Sequence, residues 1–370
     1  MITLEEVDAG DLDSEAAFSF PPPERKLVTQ AYDLSIQTLV EQWHQRGIDV
    51  PSFQRGFVWD DVRASRLIES LLVNIPIPVL YLAETDDAKW EVIDGQQRIR
   101  SVVRFVDGDF SLKGLGILGD LNGCFYDNLP ARERRYLMTR TMRAVVLAPE
   151  SHPNIKFEVF ERLNTGSIAL NAQEVRNSLF RGPFVDLLHD LADAPALRQL
   201  IGGTKPRPRM VDEELILRFF ALRDAIVTYQ PPLLRVLNEF AMANRHAGKR
   251  RIAELRNLFV ASAEAVADLL GTLAFRRFTR DGRLLERAPN RALFDAQMLA
   301  ASWLNTSDLP LFRPALVESL ASLFESDEVF LDSIRRATAD RTRTLYRLHG
   351  VVAAFRKAGL TVEPPPISEG

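Results

Sequence analysis

One cysteine, Cys124, stands among 370 residues. It excludes an internal disulfide and any metal site built on clustered cysteines. It also fits a reducing compartment, so the expected location is the cytoplasm. Histidine is scarce as well: His44, His152, His189, His246 and His349 are scattered, without metal-ligand spacing. No apolar run approaches the roughly 18 residues of a membrane span, so no membrane is expected among the partners. The first residues, MITLEEVDAGDLDSE, are acidic and lack the basic and apolar regions of a secretion signal. There is no P-loop, so nucleotide binding cannot rest on a Walker lysine. There is no Gly-x-Ser-x-Gly elbow either. A net charge of −4 argues against uniform coating of nucleic acid but leaves a local basic patch open.

What is present suits a soluble globular chain with a real core. Hydrophobic residues make up 46% and charged residues 26%, and the length suggests about two domains. Residues 1–30 read as a disordered acidic tail, because acids dominate until Arg25 and Pro21-Pro22-Pro23 blocks regular structure. A helix is predicted from Ser35, its candidate N-cap, to Arg46, and a second after Asp60, with Ala64, Leu67, Ile68, Leu71 and Leu72 as its buried stripe. Val79–Ala83, Trp90–Ile93 and Ala144–Leu147 read as strands, and Ile155–Leu163 as a helix. Asn171 and Glu174 form an Asn-type capping box for the next helix.

From about Pro183 strand signals nearly vanish. Helices are predicted around 215–222, 233–242, 252–270, 291–304, 314–324 and 334–357. The fold class is therefore α+β: a mixed domain over 31–182, then an all-helical domain over 183–370. Basic residues concentrate in the helical half. Arg276, Arg277 and Arg280 lie beside Phe275 and Phe278, a composition that suits a phosphate backbone and makes them the candidate DNA contacts. The alternative is a set of solvated helix faces balanced by acids.

The densest local signal is Asp94-Gly95-Gln96-Gln97-Arg98. It sits where the strand ending at Ile93 gives way to a helix whose apolar face is Ile99, Val102, Val103 and Val106. Exposed N–H groups and the positive end of a helix dipole meet there, which suits a phosphate. Gly95 lets a backbone approach closely, and Arg98 can clamp phosphate oxygens. Residue chemistry alone leaves a second reading open, with Asp94 a helix N-cap and the next residues a solvated first turn.

Three stretches in order narrow the choice. They are Pro51–Trp59 with the helix ending at Pro78, then Ile93–Arg98, then Phe160–Ser167 running on through Leu170–Asn177. Together they resemble the N-terminal domain of GmrSD-type modification-dependent restriction endonucleases, a domain similar in fold to ParB and sulfiredoxin. The resemblance spans roughly residues 30 to 300.

It implies a nucleoside triphosphate with Mg²⁺ as cofactor, and hydrolysis of that nucleotide. Asp94 would position Mg²⁺ or the attacking water, Arg98 would neutralise phosphate charge, and Gln96 and Gln97 would orient nucleotide or water. Asp94, Gln97 and Arg98 are thus the candidate catalytic residues, with Asp94 the metal ligand. Gln54, Arg55, Gly95, Gln96, Asn164 and Thr165 are the candidate nucleotide-binding residues. For Gln54 and Arg55 a buried polar network is the other reading, and for Asn164, Thr165 and Gly166 a helix C-cap turn. Full-length members often carry a His-Asn-His nuclease domain, which this histidine pattern does not match. The resemblance implies DNA and a separate nuclease or defence subunit as partners, and leaves oligomerisation open. Three functions follow: a nucleoside triphosphatase of a restriction or phage-defence system, a ParB-like nucleotide-dependent DNA-binding switch with little turnover, or a metal-dependent nuclease.

Overall fold

Capped, one-sided helices and short apolar strands alternate through the first half of the chain. A computed structural model describes residues 22–50, 57–85, 87–163, 171–336 and 338–365. The chain parts into two compact units, one spanning Phe20–Leu179 and one holding Phe180–Gly370.

In the first unit, β1 (Thr29–Ser35) leads into α1 (Ile36–His44), and β2 is Ile48–Asp49. Ser35 caps α1 by accepting from the Thr38 amide at 3.0 Å. Asp60 likewise caps α2 (Asp61–Leu72), accepting from the Arg63 amide at 2.7 Å. Such caps satisfy first-turn amides and contribute about 1 kcal/mol each. Then come β3 (Leu80–Glu84), β4 (Trp90–Asp94), α3 (Gln96–Val106), α4 (Ala131–Thr139) and β5 (Thr141–Leu147). The five strands order β1-β5-β3-β4-β2. β3 runs parallel to β5, pairing Leu80 with Ala144 and Leu82 with Val146, and antiparallel to β4. Leu80, Leu82 and Val92 on one sheet face pack in a single core with Leu67, Ile68 and Leu71 of α2 and Ile99, Val102 and Phe105 of α3. Each such side chain stabilises the fold by about 2 kcal/mol. α5 (Pro153–Leu163) and α6 (Ala172–Leu179) complete the unit. The capping box at α6 forms in both directions: the Glu174 amide donates to Asn171 at 2.9 Å and the Asn171 amide to Glu174 at 2.7 Å.

The tail expectation gives way from Pro22 onward. A 3-10 turn covers Pro22–Arg25 and β1 begins at Thr29. The reason is tertiary: the His152 amide donates to the Lys26 carbonyl and the Ala148 amide to the Val28 carbonyl, both within 2.9 Å. Asn154 donates to Glu24 at 2.9 Å.

The second unit is helical: α7 (Pro183–Ala192), α8 (Pro195–Ile201), α9 (Val211–Ala225), α10 (Leu233–Asn244), α11 (Lys249–Leu270), α12 (Arg291–Ala301), α13 (Arg313–Ser326), α14 (Glu328–Ser333) and α15 (Arg341–Lys357). α9 is buried almost all round, with Phe219 against Phe259 at 5.6 Å and Phe220 stacked on Phe240 at 6.2 Å. Charge is buried here too. Arg218 donates to Asp295 at 2.6 and 3.2 Å, and Arg347 lies 3.8 Å from the same carboxylate. The single helix expected over 334–357 is not continuous. α14 closes at Ser333, and α15 starts only after Asp340, which caps it by accepting from the Arg343 amide at 3.0 Å.

Candidate functional site

The strand-to-helix turn after β4 forms as the residues require. Gly95 adopts φ +103°, the left-handed region that glycine enters without penalty. A Cβ there would run into Leu80 Cδ2 and approach Arg98 Nη2. Gly95 also occupies the cap position of α3 and offers no side-chain capping bond. Asp94 is therefore not the N-cap. It closes β4, and its carboxylate, 46% exposed, accepts from Arg98 Nη2 at 2.7 Å.

Arg98 is the buried member of that pair, with 11% of its side chain exposed. Its Nη1 donates to the carbonyls of Pro78 and Val79. Burial pulls the guanidinium below its ordinary pKa, and the Asp94 charge pushes the other way. Arg98 thus ties the Pro76–Val79 segment to α3 and fixes Asp94 with its open edge toward solvent. Both of its terminal nitrogens already have partners, so a bidentate phosphate clamp through them would require it to leave those bonds.

Gln97 is also engaged. Its Oε1 accepts from the amides of Val58 and Trp59 at 3.0 and 3.3 Å. The first and second motifs therefore meet, through Val58–Trp59 and α3. Gln54, Arg55, Asn164, Thr165 and Gly166 lie outside the described residues. α5 is described up to Leu163.

Two carboxylates escaped the sequence reading. Glu91 lies in the middle of β4, 4% exposed, and accepts from Ser178 at 3.0 Å. Its signal was one acid within the apolar run Trp90–Ile93. Glu69, on the buried side of α2, accepts from the amides of Gly116, Ile117 and Leu118 at 2.7–3.3 Å. Burial opposes its ionisation, but the three amides outweigh it and hold the carboxyl below its usual range. Among the described residues, no group of three or more His, Cys, Asp or Glu side chains is placed to hold a metal.

The arginines expected to meet DNA stand in a different setting. Arg276 is buried, and donates to the carbonyls of Arg287, Leu200 and Ala274, each at 2.9 Å. Phe275 and Phe278 are wholly buried, so they are core residues and not stacking platforms. Arg277 pairs with Glu286 at 3.2 Å. Arg280 remains half exposed between Glu318 and Glu325, at 3.2 and 3.0 Å.

The fold and the turn thus define a mixed α+β domain built around a strand–glycine–helix junction with one solvent-facing carboxylate. Residues 36–181 match the family described as GmrSD restriction endonuclease, N-terminal domain. The motif resemblance is borne out over that stretch. A comparison with curated proteins finds no match. No helix among the described residues is long and apolar enough to cross a membrane.

Proposed function

We propose that this chain is the nucleoside triphosphate-binding and hydrolysing module of a restriction or phage-defence system that senses or acts on DNA. The observation that carries the reading is the β4–Gly95–α3 junction: a left-handed glycine opens the helix N-terminus beside a half-exposed Asp94 held by a buried arginine. The first amides of any helix lack intrahelical partners and suit phosphate oxygens. The donor set fits a magnesium nucleotide in one respect, since magnesium is commonly held by one or two carboxylates together with the phosphates themselves. Asp94 would be that carboxylate. Bound magnesium nucleotide would supply the scissile phosphoanhydride and neutralise part of its charge.

Within the chain the roles divide. Asp94 orients a water, and Arg98 positions Asp94. Gln97 pins the Val58–Trp59 segment to the same helix. Arg98's engagement with Pro78 and Val79 gives the second reading its support: a nucleotide-dependent switch that binds but turns over slowly, with the charge-neutralising cation absent from the ground state. A separate nuclease or defence subunit would then perform the cutting.

The test is steady-state phosphate release by the purified full chain with each of the four common ribonucleoside triphosphates and Mg²⁺, beside equilibrium binding of the same nucleotides. Binding with release supports the triphosphatase, and binding without release supports the switch. A chain that binds none of them overturns both.

A further inference from the structure

We infer a second nucleotide site at the other end of β4, in a cleft of about 530 Å³ lined by Trp43, Arg46, Ile48, Asp49, Lys89 and Arg100. Lys89 immediately precedes β4 and Asp94 ends it, so about 16 Å of strand separates this cleft from the Gly95 turn. The cleft volume lies within the range of small-molecule sites.

Among the described residues, the side chains of Arg46, Lys89 and Arg100 make no ion pair and no hydrogen bond. Elsewhere Arg98, Arg143, Arg218, Arg277 and Arg280 all meet carboxylates. The Arg100 guanidinium lies over the Trp43 ring at 5.9 Å, and its Nε is buried without a partner. A buried donor left unmatched costs stability unless a ligand or water accepts from it. Three unpaired cations beside an indole favour an anion that carries a flat ring. Asp49, on the same wall, can accept from a sugar hydroxyl or an exocyclic amine.

The ligand class is a phosphorylated nucleoside, with phosphate on Arg46 and Lys89 and the base against Trp43 and Arg100. A free mononucleotide and one nucleotide of a single strand share this chemistry. Two probes distinguish them: AMP, and a fluorescein-labelled, 5′-phosphorylated oligo-dA of twelve nucleotides.

The full chain is titrated with each probe at two salt concentrations, beside Arg46→Gln/Lys89→Gln and Trp43→Leu. Both polar positions are solvent-exposed, so the double variant should fold as the parent does, and circular dichroism checks this. The double variant should bind at least tenfold more weakly. For the oligonucleotide its log–log salt slope should fall by about 1.4, roughly 0.7 for each phosphate it no longer neutralises. Trp43→Leu should weaken binding about tenfold through the missing stack. Arg143→Gln, which removes an exposed cation outside the cleft, should leave these affinities unchanged and controls for the loss of positive charge. Binding of AMP identifies the free nucleotide as ligand, and binding of the strand alone identifies nucleic acid. The inference is overturned if neither probe binds, or if the double variant matches the parent in affinity and slope.

Discussion

The Arg276–Arg280 segment and the Trp43–Arg100 cleft both place cations beside aromatic rings, yet they use them in opposite ways. In the helical unit Phe275 and Phe278 are buried, Arg276 is spent on backbone carbonyls, and Arg277 and Arg280 meet glutamates. In the mixed unit Arg46, Lys89 and Arg100 face an open cleft without carboxylate partners among the described residues. Arginine clustering along a chain does not therefore report a nucleic-acid face. The partners decide: Glu286 lies nine positions from Arg277, while Glu318 and Glu325 come from well down the sequence.

The largest effect expected on the helical side comes from Asp295→Ala. Asp295 and Arg218 are both at most 5% exposed in their side chains, and Arg347 lies beside them. Removing the acid takes a counter-charge away from two buried cations and should cost about 3–5 kcal/mol. Urea unfolding of the full chain should show it as the earlier loss of helical signal. A loss below about 1 kcal/mol would mean the pair behaves as a surface ion pair.

On the mixed side the matching change is Arg98→Ala. It removes bonds to Pro78, Val79 and Asp94 at once, so about 2–3 kcal/mol of stability should go with any activity. Arg98→Lys should recover part of the stability. An alanine variant that melts with the parent would show that Arg98 is not the buried tie described above.

Acid should separate the units further. The folded Glu69 carboxyl is held below its ordinary range, so its contribution is present above that range and fades as pH falls through the folded value. Glu69→Gln should be less stable than the parent at neutral pH, and the gap should narrow as pH drops. A gap that stays constant with pH would assign the effect to packing alone. The smallest effect belongs to Arg280→Gln, whose partners are half exposed; it should change stability by under about 1 kcal/mol.

Much of the fold could be read from local chemistry. Ser35, Asp60 and the Asn171–Glu174 box were legible because caps are local and chemical, and all three form. The Gly95 turn was legible for the same reason. Burial was not. Nothing local in Asp-Gly-Gln-Gln-Arg says that Arg98 turns inward to the Pro78 and Val79 carbonyls, twenty and nineteen positions away. The order of residues 22–30 depends on partners distant in sequence, His152 and Ala148, which no local period encodes, whereas the start of α15 is marked by the local cap Asp340.

The proposed chemistry rests on Asp94, the one solvent-facing acid at the Gly95 turn. Phosphate release by Asp94→Asn, beside its urea unfolding curve, is the decisive measurement. The variant should retain a cooperative unfolding transition within about 2 kcal/mol of the parent, since the Asn amide oxygen can still accept from Arg98 and Arg98 keeps its bonds to Pro78 and Val79. Its release should fall about 100-fold or more. A folded Asp94→Asn chain that releases phosphate at the parent's rate would refute this assignment and move the chemistry away from the turn.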